Sequence, residues 1–252
     1  MSKLSVIYNS IIIIESLPEN EYKTGEVLSN VLKTLHPDHS GIQYIPVVSK
    51  DDFIALMAEI RILMQDNQGF KPIIDIETHG NKEEIGFADN SRMPWNELMG
   101  ILRGLNEICQ NELVVFLACC EGYHFIKSTT ISKHSPCGYL FSPQEEISVL
   151  NVITATVEFF NEITVNGDLD VAADLMKLRK IYCFKSEIFF LNALTIALIQ
   201  DFEGVKKMST DFEREKLINN LSNTYLGGVK DDYTKHVLKC FHEYIGKLSN
   251  RT

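Results

Sequence analysis

Two stretches decide how this chain folds: Ile73-Ile74-Asp75-Ile76-Glu77-Thr78-His79-Gly80 and Val114-Val115-Phe116-Leu117-Ala118-Cys119-Cys120-Glu121-Gly122. Each opens with a short apolar run rich in β-branched residues and ends at a glycine, the pattern of a strand buried in a sheet. Between them Trp95–Leu105 reads as a helix, with Pro94 in the place proline favours at a helix start. Strand, helix-bearing crossover and strand make a βαβ unit, so the two strands are expected side by side and parallel.

The same alternation extends in both directions. Leu4–Ile14 reads as a strand that breaks at Ser16-Leu17-Pro18, and Glu21–Leu35 as a helix with Val27, Leu28, Val31, Leu32 and Leu35 at helical spacing. Ile42–Val48 is strand-like, and Asp51–Gln65 places Phe53, Leu56, Met57, Ile60 and Met64 on one helical stripe. After the second key stretch, Tyr139–Ser142 and Ile181–Phe184 read as strands, with helices over Ile147–Asn161 and Val171–Leu178. From there the chain is helical only: Glu187–Phe202, Phe212–Tyr225 and Asp232–Leu248. The expectation is an α/β fold over residues 1–185, a mainly parallel six-stranded sheet with helices on both faces. A helical C-terminal extension, 186–252, is expected to pack on the same domain.

Composition narrows the function. Lys and Arg number 24 against 34 Asp and Glu, a net charge of −10 over 252 residues, which disfavours a general nucleic-acid binder. A chain this long buries roughly 70–75% of its unfolded surface without disulfide or metal staples. The apolar runs Val6–Ile14 and Ile188–Ile199 fall short of the ~20 residues that cross a bilayer, so no membrane association is expected. Lys3 and the apolar stretch after it do not read as a signal peptide. The six cysteines form no CxxC pair, and His124, His134, His236 and His242 have no ligand spacing, so neither a disulfide framework nor a metal site is expected. Cytoplasmic residence is the natural reading.

In open parallel sheets, reactive groups gather beyond the carboxyl ends of the strands. Here two neighbouring strands end in His79 and in Cys119-Cys120, so an imidazole and a thiol would meet at one sheet edge. That pair suits thiol catalysis, with the imidazole taking the proton and the thiolate attacking. Gly80 would let the chain turn sharply and leave the imidazole exposed. Gly122 would let backbone N–H groups near Cys120 approach a carbonyl closely, as an oxyanion hole requires.

This order of strand-His-Gly, crossover and strand-Ala-Cys-x-Gly resembles the caspase-like cysteine peptidases, which include caspases, metacaspases and bacterial CHAT-type proteases. His79 and Cys120 stand 41 positions apart, against about 50 in caspases. Caspases carry Gln-Ala-Cys-x-Gly where this chain reads Ala118-Cys119-Cys120-Glu121-Gly122. Alignment on the glycine makes Cys120 the nucleophile; alignment on Ala-Cys makes it Cys119. Cys120 is preferred, because alternation along the strand sends the two thiols to opposite sides and the spacing to Gly122 then decides. Phe87–Trp95 resembles the loop and helix start that follow His-Gly in CHAT-like proteins, while the last helices have no counterpart. The resemblance implies a caspase-like fold and a peptide or protein substrate cut after a charged residue. Cys120 would attack, His79 would protonate the leaving amine, and backbone N–H groups around Gly80 and Cys120 would hold the oxyanion. It implies no cofactor, and a latent effector of bacterial antiviral or cell-death defence, switched on by a bound signal such as a nucleotide second messenger.

Each residue also has a plainer reading. A free cysteine is a common core residue, and a strand-end histidine is often a hydrogen-bonded cap. Asp75 and Glu77 would orient His79 or bind a cationic substrate side chain, or simply be buried and paired. Glu121 would meet substrate or be a solvated loop charge. Ser142 would line the cleft or belong to a Ser-Pro turn. Trp95 reads as a core anchor. Two rival functions follow: a catalytically silent caspase-fold adaptor or nucleotide-signal sensor, and a Rossmann- or flavodoxin-like nucleotide binder. The second is disfavoured, since Ile11–Pro18 holds no glycine for a phosphate loop.

Overall fold

Four consecutive isoleucines, Ile11–Ile14, are all buried, and a strand whose two faces are both apolar belongs in the middle of a sheet. The computed structural model describes residues 7–203, 210–228 and 231–249, so residues 4–6 of the expected first strand lie outside the described residues. That strand, β1, spans Ser10–Ser16. Its start is set by Asn9, whose backbone N–H donates to the Lys71 carbonyl and whose side chain bonds to Gly69 and Lys71.

Seven further strands follow: β2 (Ile42–Pro46), β3 (Pro72–Gly80), β4 (Glu84–Gly86), β5 (Arg92–Pro94), β6 (Val114–Ala118), β7 (Tyr139–Pro143) and β8 (Ile181–Lys185). The main path runs β2-β1-β3-β6-β7-β8. The pairings β1–β2, β1–β3, β3–β6 and β6–β7 are all parallel. The key pair β3 and β6 are neighbours, in the register Glu77 to Ala118. Between β1 and β3 the order of winding reverses, the position where α/β sheets open a crevice.

Eight strands replace the expected six because the β3–α3 crossover carries a small hairpin. β4 pairs antiparallel with the end of β3, matching His79 to Gly86 and Gly80 to Ile85, and β5 pairs with β4. Three-residue strands are too short for alternation to register in sequence, and what holds them is pairing with an existing edge. Gly80 is the last residue of β3, and the expected sharp turn follows it at residues 81–83, where the chain reverses into β4.

Helices flank the sheet: α1 (Thr24–Leu35), α2 (Lys50–Asp66), α3 (Trp95–Ile108), α4 (Val149–Asn166) and α5 (Leu169–Leu178). Leu28 and Leu32 of α1, Phe159 and Phe160 of α4 and Met176 of α5 share a core with Ile11, Ile13, Ile73, Phe116 and Phe141 of the strands. α2 is closed by a reciprocal capping box between Ser49 and Asp52 and buries Phe53, Met57, Ile60 and Met64. Trp95 is buried at the start of α3, edge-on to Phe125, in keeping with a core anchor.

The chain forms two compact units: residues up to Thr129 together with Pro136–Phe184, and Thr130–Ser135 together with the residues from Lys185 on. The second contains α6 (Ser186–Glu203), α7 (Asp211–Leu226) and α8 (Asp231–Ser249), with its own core of Phe190, Leu194, Ile218, Tyr225, Val237 and Phe241. The division falls between Phe184 and Lys185, and a short earlier segment, Thr130–Ser135, is grouped with the helices. Among the described residues no helix is long and apolar enough to cross a membrane.

Phe159 is fully buried, with ring centroids 4.5 Å from Phe141, 5.0 Å from Phe160 and 5.1 Å from Phe116. Phe159→Ala is expected to lower stability by about 3–5 kcal/mol in urea unfolding. On the exposed side of the same helix, Val165→Ala should change it by less than about 0.5 kcal/mol.

Candidate active site

Alternation along β3 puts Asp75, Glu77 and His79 on one face. Asp75 and Glu77 are fully buried, and β1 adds a third buried carboxylate, Glu15, directly opposite Glu77. The first turn of α1 lies against this group. The Gly25 N–H donates to Glu15 Oε1 at 2.7 Å, the Tyr44 hydroxyl to Glu15 Oε2 at 2.6 Å, and the Thr24 hydroxyl to Glu77 Oε2 at 2.7 Å. Lys23 caps α1 without a side-chain hydrogen bond, so Glu15 supplies the carboxylate that a helix start favours.

The donors do not reach everywhere. Both oxygens of Asp75 and Oε1 of Glu77 find none among the described residues, since two ionised carboxylates have no proton to offer each other. Burial, followed by the charges of Glu77 and Glu15, raises the Asp75 carboxyl well above its ordinary range. Burial also raises Glu77, against the Thr24 hydrogen bond that lowers it. A proton kept on Asp75 removes one of the three like charges from this group.

A cavity of about 220 Å³ opens beyond these residues, bordered by Glu77, Thr24, His79, Cys120, Glu21 and Ile147 among others. His79, its side chain 58% exposed, stands at the edge with Nε2 2.7 Å from Glu21 Oε2. Cys120 is half-buried, its Sγ 3.9 Å from the Ile147 carbonyl oxygen. Cys119 is only 2% exposed. Burial first, then the neighbouring Cys120 and Glu77, pushes its thiol well up, and a neutral buried thiol is a poor nucleophile. The two cysteines therefore differ in exposure, Cys119 buried and Cys120 half-buried, while both border the cavity just beyond the end of β6.

The glycines have another use than the one expected. A Cβ on Gly80 would lie 2.8 Å from Cys119 Sγ and 2.8 Å from the Cys120 carbonyl; one on Gly122 would lie 2.3 Å from Ser142 Oγ and 2.7 Å from Cys119 Sγ. Both positions need glycine because the chain closes tightly over Cys119. The Gly122 N–H turns back to the Cys119 carbonyl at 3.4 Å, so it is committed to the short 3-10 helix Gly122–Ser128 and is not presented as an oxyanion donor. Strain in this turn falls on Glu121, whose φ is 57°; its carboxylate lies 3.4 Å from Lys82 Nζ. Ser142 does not line the cleft: it is fully buried and its hydroxyl donates to the Leu117 carbonyl at 2.8 Å.

The structure thus brings His79, Cys120 and Glu77 to one cavity, with Asp75 behind them. It also adds Glu21, Thr24 and Glu15, which the motif-based reading passed over. Their signal was positional: all three lie at the end of β1 or in the segment that opens α1, and so at the same sheet edge as His79. Among the described residues no group of three His, Cys, Asp or Glu is arranged to hold a metal ion. Comparison with protein-family models and with curated proteins gives no match for this chain.

Raised carboxyl pKa values give stability a definite pH dependence. The folded state keeps protons that the unfolded chain has lost above the ordinary carboxylate range, so stability falls as pH rises through that window. The melting temperature is expected to drop between about pH 5 and about pH 8, and Asp75→Asn, which removes one titrating group, to flatten the slope. Parallel melting curves for the two proteins would show that Asp75 carries no such proton.

Proposed function

We propose that this chain is a caspase-like cysteine endopeptidase with a caspase-like α/β fold, in which Cys120 is the nucleophile and His79 its acid-base partner. One observation carries the reading: the two side chains, 41 residues apart in sequence, border the same cavity at the carboxyl end of the parallel strands. Glu21 supports it. With Nε2 donating to Glu21 Oε2, the lone pair of the imidazole sits on Nδ1, free to accept a proton.

In the reaction His79 takes the Cys120 proton as Sγ attacks the scissile carbonyl carbon. The tetrahedral intermediate collapses with cleavage of the C–N bond, and His79 passes the proton to the departing amine. A water then attacks the thioester while His79 takes its proton. Carboxylate product leaves and the proton returns to sulfur. Glu21 holds the imidazole ring in place throughout. The resemblance also supports a role as a cytoplasmic effector in bacterial antiviral or cell-death defence, activated by a bound signal such as a nucleotide second messenger.

The test is alkylation by peptidyl chloromethyl ketones, with the adduct mapped by mass spectrometry. Cys120 Sγ displaces chloride and a thioether forms. Modification is expected at Cys120 and should slow by about 10²–10⁴-fold in His79→Ala, the usual range for loss of an acid-base partner. An adduct at Cys119 would move the nucleophile by one residue. Slow, equal modification of Cys120, Cys183 and Cys240, the half-buried thiols, in both proteins would favour the silent adaptor.

A further inference from the structure

The sign of the preferred side chain can be read from the cavity. Its acidic and imidazole lining is Glu21, Glu77 and His79, and among the described residues no lysine or arginine borders it. Glu77 is 1% exposed, and its Oε1 has no hydrogen-bond donor among the described residues. Thr24 holds the other oxygen from the α1 side. Behind Glu77 stand two further buried carboxylates, Asp75 and Glu15, of which Asp75 has no donor among the described residues.

We propose that this cavity selects a lysine or arginine side chain immediately before the scissile bond, with Glu77 at its inner end meeting the cationic group. The inference rests on the peptidase reading of His79 and Cys120. An ammonium or guanidinium group is acceptor-free and supplies the donors that Glu77 lacks. An aspartate or glutamate in the same place would bring another carboxylate toward Glu21 and Glu77. A neutral aliphatic chain would fit but leave Glu77 as it was. The volume of about 220 Å³ equals the share of about seven liquid waters, room for one long side chain. Entry of a cation also favours the ionised form of Glu77, opposing the burial that raises its carboxyl.

The experiment compares the rates at which four peptidyl chloromethyl ketones label Cys120, identical except for arginine, lysine, norleucine or aspartate next to the ketone. Norleucine matches lysine in shape without the charge, so the ratio of the two isolates the cation. Arginine and lysine are expected to react at least about tenfold faster than norleucine, in line with a hydrogen bond to a charged group, and aspartate slowest. In Glu77→Gln the lysine-to-norleucine ratio should fall toward one, with circular dichroism confirming that the variant is folded. The wild-type ratios decide the matter even if the variant does not fold. Norleucine reacting as fast as lysine, or aspartate faster than either, with the adduct still on Cys120, overturns this inference and leaves the peptidase reading standing. Failure of all four to label Cys120 overturns both.

Discussion

Three carboxylates buried side by side are the constraint around which this structure is arranged. Glu15 and Glu77 face each other on the adjacent strands β1 and β3, with Asp75 two residues before Glu77, where isolated charges cost several kcal/mol each. They are tolerated because the start of α1 points its N–H groups and its Thr24 hydroxyl at them, because Tyr44 reaches Glu15 from β2, and because Asp75 keeps its proton. The same contacts fix where α1 begins. They also fix one wall of the cavity, since Thr24 and Glu77 both border it.

The other wall follows from how tightly β6 ends. With Gly80 and Gly122 closing over the Cys119 thiol and Ser142 bonded to the Leu117 carbonyl, the chain at 118–122 has little freedom. The αL conformation that the turn needs falls on Glu121. Cys119 is thereby held buried, and the next residue, Cys120, is the more exposed of the two at the cavity. Packing in an ordinary parallel sheet thus holds the Cys120 thiol at the cavity that His79 also borders, the kind of placement the proposed nucleophilic catalysis asks of a scaffold.

Much of this was legible in the sequence. Apolar runs ending in His79-Gly80 and in Cys119-Cys120 place both groups at one sheet edge. The hairpin Glu84–Gly86 and Arg92–Pro94 was not legible, because three-residue strands exist only through their pairing with β3. Ser142 was misplaced because a Ser-Pro pair reads as a turn, while the pleat in fact turns the hydroxyl inward to Leu117. The crowding of Gly80 and Gly122 against Cys119 was not legible for a related reason: sequence shows that a glycine is present, but not which atoms lie against it. Glu21 lies 58 residues from His79 and carries no motif, and only the order β2-β1-β3 brings the segment after β1 to that histidine. Glu15 was hidden likewise, since a charge at a strand end ordinarily faces water.

The central claim is that this sheet edge hydrolyses peptide bonds, and the most direct measurement is of new chain ends. A mixture of unfolded proteins would be incubated with the wild-type chain and, separately, with Cys120→Ala, and the N-termini formed in each would be sequenced by mass spectrometry. The account predicts termini that arise only with the wild-type protein, each following a lysine or arginine in its substrate. Identical sets of termini in the two digests would contradict it.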